Sequence, residues 1–139
     1  MRGVNLGGWL VCERWMSPSI FRETSAQDEY SLCSELGKDE AQQRLQAHRE
    51  TFITEEHVKQ LAELGLKLLR VPVGYWLFDA PQPYVGGGRE YIDRLFVWAK
   101  RYDLYIILDF HAAPGSQNGW DHSGKAGKIE WHQADNIAH

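Results

Sequence analysis

Three strand-like runs lie along this 139-residue chain, a short first one and two that are nearly continuous in hydrophobic residues. The runs cover residues 3–6, with an apolar continuation through residue 11, residues 66–73 and residues 104–110. Unbroken apolar runs of this length are typical of parallel strands that are covered on both faces, whereas half-exposed strands alternate. We therefore predict three parallel β-strands.

Helical patterns separate and follow these strands. Residues 39–50 are rich in Gln, Ala, Arg and Glu, and Thr54 is a good N-cap for the next helix, with Gly65 at its C′ position. Apolar residues repeat every three to four positions within residues 89–101, and a last helix is predicted to begin near Trp131. Alternating strands and helices indicate right-handed βαβ units in an α/β fold.

Composition and charge exclude several classes of partner. The net charge is −4, with no basic patch for nucleic acid and no polybasic run for a membrane surface. The sequence contains no run of 18 apolar residues, so no membrane span is predicted, and no signal peptide is recognisable. Cys12 and Cys33 are expected to be buried free thiols, with a disulfide between them as the alternative.

Polar residues at the carboxyl ends of the predicted strands are the candidate functional residues, because parallel α/β folds place their active and binding sites there. The first strand leads to Glu13, the second carries Arg70 and the third leads to His111, with Trp120 and Asp121 in the loop beyond. An arginine within an apolar strand is costly unless it is paired. Arg70 is therefore either a structural ion pair or a group that lowers the pKa of a catalytic carboxylate.

The other candidates also have two interpretations each. His111 is a satisfied structural histidine or a donor to a sugar hydroxyl, and Trp120 is a surface residue or one side of an aromatic clamp. Glu13 and Asp121 are solvated carboxylates or grip vicinal hydroxyls. They are poor candidates for the acid and base of glycoside hydrolysis, because nothing around either predicts the apolar pocket that raises an acid's pKa.

Tryptophans that follow strands are further candidates for ligand contacts, whereas one inside a helical pattern is expected in the core. Those after strands are Trp9, Trp15, Trp76 and Trp120, and the helical one is Trp98. The histidines of residues 121–139, His122, His132 and His139, match no metal-binding spacing and are expected to be solvated. We predict no metal site and no cofactor.

Six motifs along the chain carry a family resemblance. They are residues 2–11, 17–21, 28–30, 51–55, 70–76 and 113–119. Their order and content resemble the N-terminal part of glycoside hydrolase family 5, within it the exo-β-1,3-glucanases of fungi and their bacterial relatives. The resemblance implies a (β/α)8 TIM barrel that hydrolyses β-glucan with retention. Members of the family are often secreted.

The resemblance also implies roles for individual residues. Glu13, His111 and Asp121 resemble residues that contact the glucose in the −1 subsite. Arg70 resembles the arginine beside the nucleophile, and Trp120 stands where the family has an aromatic residue at the pocket entrance. The family's acid/base lies in an Asn-Glu-Pro motif, which does not occur in these 139 residues.

The chain is therefore predicted to be a partial barrel of about the first three βα units, with residues 1–139 forming the N-terminal fragment of one catalytic domain. It would carry part of the −1 subsite, lack both catalytic carboxylates and be inactive alone towards β-glucan or glucosides. The alternative is a free-standing partial barrel that self-associates through exposed sheet edges and acts as a carbohydrate binder or non-catalytic scaffold.

Overall fold

The computed structural model describes residues 1–138 and contains one three-stranded parallel sheet in the order β1-β2-β3. The strands are β1 (Gly3–Asn5), β2 (Leu68–Gly74) and β3 (Tyr105–Ala112). All three predicted strands are confirmed. Their ends differ: the apolar continuation after β1 is loop, β2 begins two residues late, and β3 extends far enough to include His111.

The described residues also contain five α-helices. They are α1 (Glu29–Leu36), α2 (Lys38–Phe52), α3 (Glu55–Glu63), α4 (Arg89–Arg101) and α5 (Ala134–Ile137). The prediction for α4 is confirmed at both ends, α2 is slightly longer than predicted, and α5 begins three residues beyond Trp131. None of the described helices is long and apolar enough to cross a membrane.

Local capping explains where two of the helices begin. Thr54 caps α3 in a capping box with His57, and Gly65 follows that helix at φ +79°, as a C′ glycine should. Helix α1 was not predicted. Asp28 begins it by accepting a hydrogen bond from the backbone N–H of Ser31 at 2.7 Å, and the Ser31 side chain completes a second capping box.

Two apolar clusters form the interior. The larger lies between the sheet and the helices α3 and α4, and it includes Leu69, Val71 and Leu95, all fully buried. The smaller lies beneath α1 and α2 and contains Cys12 and Cys33. Both cysteines are buried free thiols, as predicted. Burial raises the pKa of Cys12 well above its usual value and that of Cys33 to about 12, so neither is a reactive thiolate at neutral pH.

Strand β3 departs from the prediction that the apolar strands are covered on both faces. Tyr105 and Phe110 are each 61% exposed, Ile107 is 48% exposed and Leu108 is 40% exposed. An open cavity of about 340 Å³ lies on the same sheet, with Arg70 and Ile107 among its lining residues. The prediction was wrong for β3 because the helices of residues 1–138 leave these side chains uncovered.

Candidate functional site

Arg70 is the centre of a polar cluster that joins all three strands. Its Nη1 donates to Oδ1 of Asn5 on β1 at 2.8 Å, and its Nη2 donates to Oδ2 of Asp109 on β3 at 2.6 Å. Nη2 also lies 3.3 Å from Nδ1 of His111. The requirement that an arginine within an apolar strand be paired is met by Asp109.

His111 is oriented by the same carboxylate. Its Nδ1 lies 2.6 Å from Oδ2 of Asp109, a distance at which a ring N–H donates to a carboxylate oxygen. With Nδ1 protonated, the neutral ring has its lone pair on Nε2. The Arg70, Asp109 and His111 side chains are 40%, 25% and 23% exposed, so the cluster is open to a ligand.

His122 lies against His111, with ring centroids 5.1 Å apart. Its Nε2 is 3.2 Å from Nδ2 of Asn118, while its Nδ1 is buried without a hydrogen-bond partner among the described residues. The expectation that this histidine is solvated is therefore wrong, because the loop folds it back over β3. His132 is exposed, and His139 lies outside the described residues.

Glu13 is buried apart from a 9% exposed fraction, and its Oε2 accepts a hydrogen bond from the indole N–H of Trp15 at 2.9 Å. Asp121 is half-buried, and its Oδ1 accepts the backbone N–H of His122 at 2.9 Å. No hydrogen bond or ion pair within residues 1–138 joins either carboxylate to Arg70 or His111. The structure thus brings Arg70 and His111 into contact and leaves the two carboxylates on separate loops.

The loop that carries Trp120 and Asp121 is braced from within. Gln117 donates through Nε2 to the carbonyl of His111 at 2.7 Å and accepts the Ala113 N–H at 3.0 Å. Ser116 is 2% exposed and adopts φ +60°, a left-handed conformation that costs a non-glycine residue about 1 kcal/mol or more. Strain of this kind persists only where surrounding contacts hold it, so the loop has one defined shape.

The tryptophans divide in a way that the sequence did not predict. Trp15 and Trp120 are 72% and 67% exposed, as ligand-facing residues would be, but Trp9 and Trp76 are completely buried. The prediction for the buried pair was wrong because each indole N–H has an internal acceptor. Trp9 donates to the Arg49 carbonyl and Trp76 to the Glu29 carboxylate, each at 2.9 Å. Trp98 is half-buried and packs against the larger cluster, as expected for a core residue.

Sequence reasoning missed three members of the site, Asn5, Asp109 and His122. A signal existed for Asp109, because residues two apart on a strand point to the same face, and it precedes His111 by two. Within residues 1–138, no group of three or more His, Cys, Asp or Glu side chains is close enough to hold a metal ion.

Comparison with known proteins gives close relatives over almost the whole chain, although no family model matches. The chain is 51% identical to the probable glucan 1,3-beta-glucosidase A of Emericella nidulans and 49% identical to the glucan 1,3-beta-glucosidase of Blumeria graminis. Glucan 1,3-beta-glucosidase 1 of Schizosaccharomyces pombe is 43% identical. Each match covers 99% of this chain but only 34–35% of the relative, so the chain spans about a third of their length.

A solved structure supports the same relationship. The rutinosidase from Aspergillus niger superposes with a TM-score of 0.88 at 31% identity, over 96% of this chain and 39% of that one. The resemblance indicated by the motifs is therefore confirmed: homologues of this chain are glucan 1,3-beta-glucosidases, and a structural neighbour is a rutinosidase.

Proposed function

We propose that this chain is the N-terminal part of a retaining β-glucan hydrolase and supplies one wall of its −1 sugar subsite. The observation that carries the proposal is the Arg70 cluster, in which an arginine within β2 meets a histidine near the carboxyl end of the adjacent parallel strand β3. Parallel α/β barrels place their active sites at this end. The relatives' names add the substrate class, β-1,3-glucan.

In this proposal, residues 1–139 form the first three βα units of a single (β/α)8 catalytic domain. The support is threefold: a parallel β1-β2-β3 sheet, a chain that spans about a third of its relatives, and apolar β3 side chains that further elements of a barrel would cover. Both catalytic carboxylates would then lie on later strands. This chain alone would bind sugar without cleaving it.

Each candidate residue has a distinct task in such a wall. Arg70, held by Asn5 and Asp109, would keep a neighbouring nucleophile ionised, because a fixed positive charge lowers the pKa of a carboxyl group. His111 would present its free Nε2 to a sugar hydroxyl. Glu13 and Asp121 would accept hydrogen bonds from hydroxyls, and the exposed ring of Trp120 would pack on a sugar face.

The binding proposal is tested by titrating the chain with laminaribiose and following its amide resonances by NMR. We expect weak binding, with a dissociation constant on the order of 1 mM, because only one wall is present. Glu13→Gln and Asp121→Asn should each weaken it. Glu63→Gln, an equivalent change on the exposed surface of α3, is the matched control. Affinities that do not differ among these variants would contradict the assigned roles.

The assignment of chemistry to later strands is tested by activity. We expect no release of glucose from laminarin by the purified chain, since neither catalytic carboxylate is proposed to be present. Turnover that disappears in Glu13→Gln or Asp121→Asn would overturn the proposal, because those carboxylates would then be the catalytic pair.

A second candidate function is favoured by the uncovered face of β3. A free-standing partial barrel with this face would self-associate to bury Ile107 and its neighbours, and would act as a carbohydrate binder or a scaffold. Light scattering across a concentration series distinguishes the two candidates. A monodisperse monomer at all concentrations would contradict the self-associating scaffold.

A further inference from the structure

Glu29 is a completely buried carboxylate that the candidate site does not use. Its Oε2 accepts the backbone N–H of Cys12 at 3.0 Å, its Oε1 accepts the indole N–H of Trp76 at 2.9 Å, and Nη2 of Arg49 lies 3.5 Å away. Burial raises the pKa of Glu29, and Arg49 and these donors act in the opposite direction. A buried carboxylate is costly to maintain, so its partners matter.

One arm of this arrangement reaches the loop that carries Glu13. Cys12 directly precedes Glu13 in the chain, so Glu29 holds the backbone one residue before Glu13. That loop is further closed by the Glu13 carbonyl, which accepts the N–H groups of Met16 and Ser17. Glu29 therefore fixes the backbone from which the Glu13 side chain projects.

The other arm reaches the loop that carries Asp121. A Cβ added to Gly124 would lie 2.3 Å from the Trp76 ring, so the indole rests directly on that glycine. Trp76 also stacks on Tyr84 at 4.4 Å, and the Tyr84 hydroxyl donates to the Gly124 carbonyl at 3.1 Å. Gly124 in turn donates its N–H to the Asp121 carbonyl at 2.9 Å.

The first turn of α1 makes direct contacts with the same loop. Ala126 donates its N–H to Oδ2 of Asp28 at 2.7 Å, and Tyr30 donates its N–H to the Gly124 carbonyl at 3.0 Å. Asp28 is 5% exposed and Ala126 is exposed, so this contact is partly buried. The segment from Asp28 to Tyr30 thus contacts both loops, and Glu29 is its only residue with a side chain bonded towards Glu13.

We propose that Glu29 is a positioning residue that sets the distance between Glu13 and Asp121, the two carboxylates to which the proposed function assigns one sugar. The role in sugar binding rests on the proposed function, whereas the contacts of Glu29 with the two loops do not depend on it. Glu29 touches no ligand itself. It acts through Cys12 on one side and through Trp76 and Gly124 on the other.

Glu29→Gln tests the inference with little change of shape. The glutamine NH2 group must face one of the two donors, Cys12 N–H or Trp76 Nε1–H, so one hydrogen bond is lost. We expect the amide resonances of both loops, including those of Cys12 and Gly124, to shift, and laminaribiose affinity to fall by about tenfold or more. Glu35→Gln is the matched control on the exposed side of α1, where Glu35 accepts hydrogen bonds from Ser25.

A purely structural role gives a different result. In that case Glu29→Gln would lower Tm while the folded molecules kept their affinity and the Gly124 resonance, and this outcome would overturn the inference. If Glu29→Gln does not fold, Trp76→Phe keeps an aromatic ring but removes the indole donor to Glu29 together with part of the ring that contacts Gly124. It should move the Gly124 and Cys12 resonances together, and movement at neither or at only one would overturn the inference.

The proposed function can fail separately. If the wild-type chain binds no laminaribiose, the sugar wall is contradicted, whereas the resonances of Cys12 and Gly124 still report whether Glu29 couples the two loops.

Discussion

Strands β2 and β3 lie side by side, carry equally apolar sequences and differ in burial. Leu69 and Val71 on β2 are completely buried, whereas their register partners on β3 are Ile106, which is half-buried, and Leu108, which is 40% exposed. β2 has a strand on each side and helices over it, and β3 pairs along one edge only. An apolar run therefore indicates that a strand is suited to burial on both faces, even where, as for β3, its side chains are exposed.

The largest effect is expected from one substitution made on both strands. Leu69→Ala should cost about 2–5 kcal/mol of unfolding free energy, because it leaves a cavity in a closed core. Leu108→Ala should cost less than about 1 kcal/mol, since its side chain is partly in solvent. Urea denaturation measures both. Similar costs would show that the two strands share one environment and would remove the contrast.

A charge on the open face comes next. Ile107→Lys should weaken any self-association of the chain at least about tenfold, because a lysine ammonium must be desolvated when that face is buried. Sedimentation velocity over a concentration range measures the change. Phe96→Lys on α4 is the control at matched exposure, 49% against 48%. An equal effect of both substitutions would mean that the β3 face has no special role.

A smaller effect on the stability of the chain is expected from pH, through the buried His48. Burial lowers the pKa of His48, with the positive charge of Arg49 acting in the same direction and the hydrogen bond to the Gly8 carbonyl opposing it. The unfolded chain therefore binds more protons just below the ordinary histidine pKa of about 6.5, and stability falls as pH falls through that range.

His48→Gln should flatten this part of the pH profile of the urea midpoint. The exposed His132 offers the control, since His132→Gln should leave the slope as it is in the wild type. A wild-type slope that persists in His48→Gln would assign the proton to another group.

The smallest effect is expected at the amino end of the sheet. Lys67 and Asp103 form an exposed ion pair at 2.8 Å between the segments that enter β2 and β3. Lys67→Gln should leave the urea midpoint unchanged, because solvent and salt screen such pairs. Arg70→Gln, within β2, should lower the midpoint by leaving Asp109 without its cation. A larger loss for Lys67→Gln would reverse this ranking.

The fold was predictable where local signals decide it. The apolar repeat of α4 and the Thr54 cap of α3 are contained in a few neighbouring residues, and both helices form as predicted. Helix α1 was missed because its buried side includes Glu29, a carboxylate that breaks the apolar repeat. The helix is stabilised by partners such as Trp76, 47 residues away, and no local pattern contains them.

The candidate site was predictable only in part. Arg70 and His111 come together because they lie on the same face of two adjacent parallel strands. Whether a tryptophan after a strand faces a ligand or the core depends on distant acceptors instead. Trp9 is buried because a carbonyl 40 residues away accepts its N–H, and its own neighbours carry no sign of this.

The contact between Asp28 and Ala126 joins positions 98 residues apart. At a synthesis rate of about 5–20 residues per second, Asp28 is synthesised roughly 5–20 s before Ala126. Contacts of such long sequence separation also slow the folding of the complete chain. The contacts between the Asp121 loop and α1 therefore form only after residues that follow α1 by about 98 positions have been synthesised.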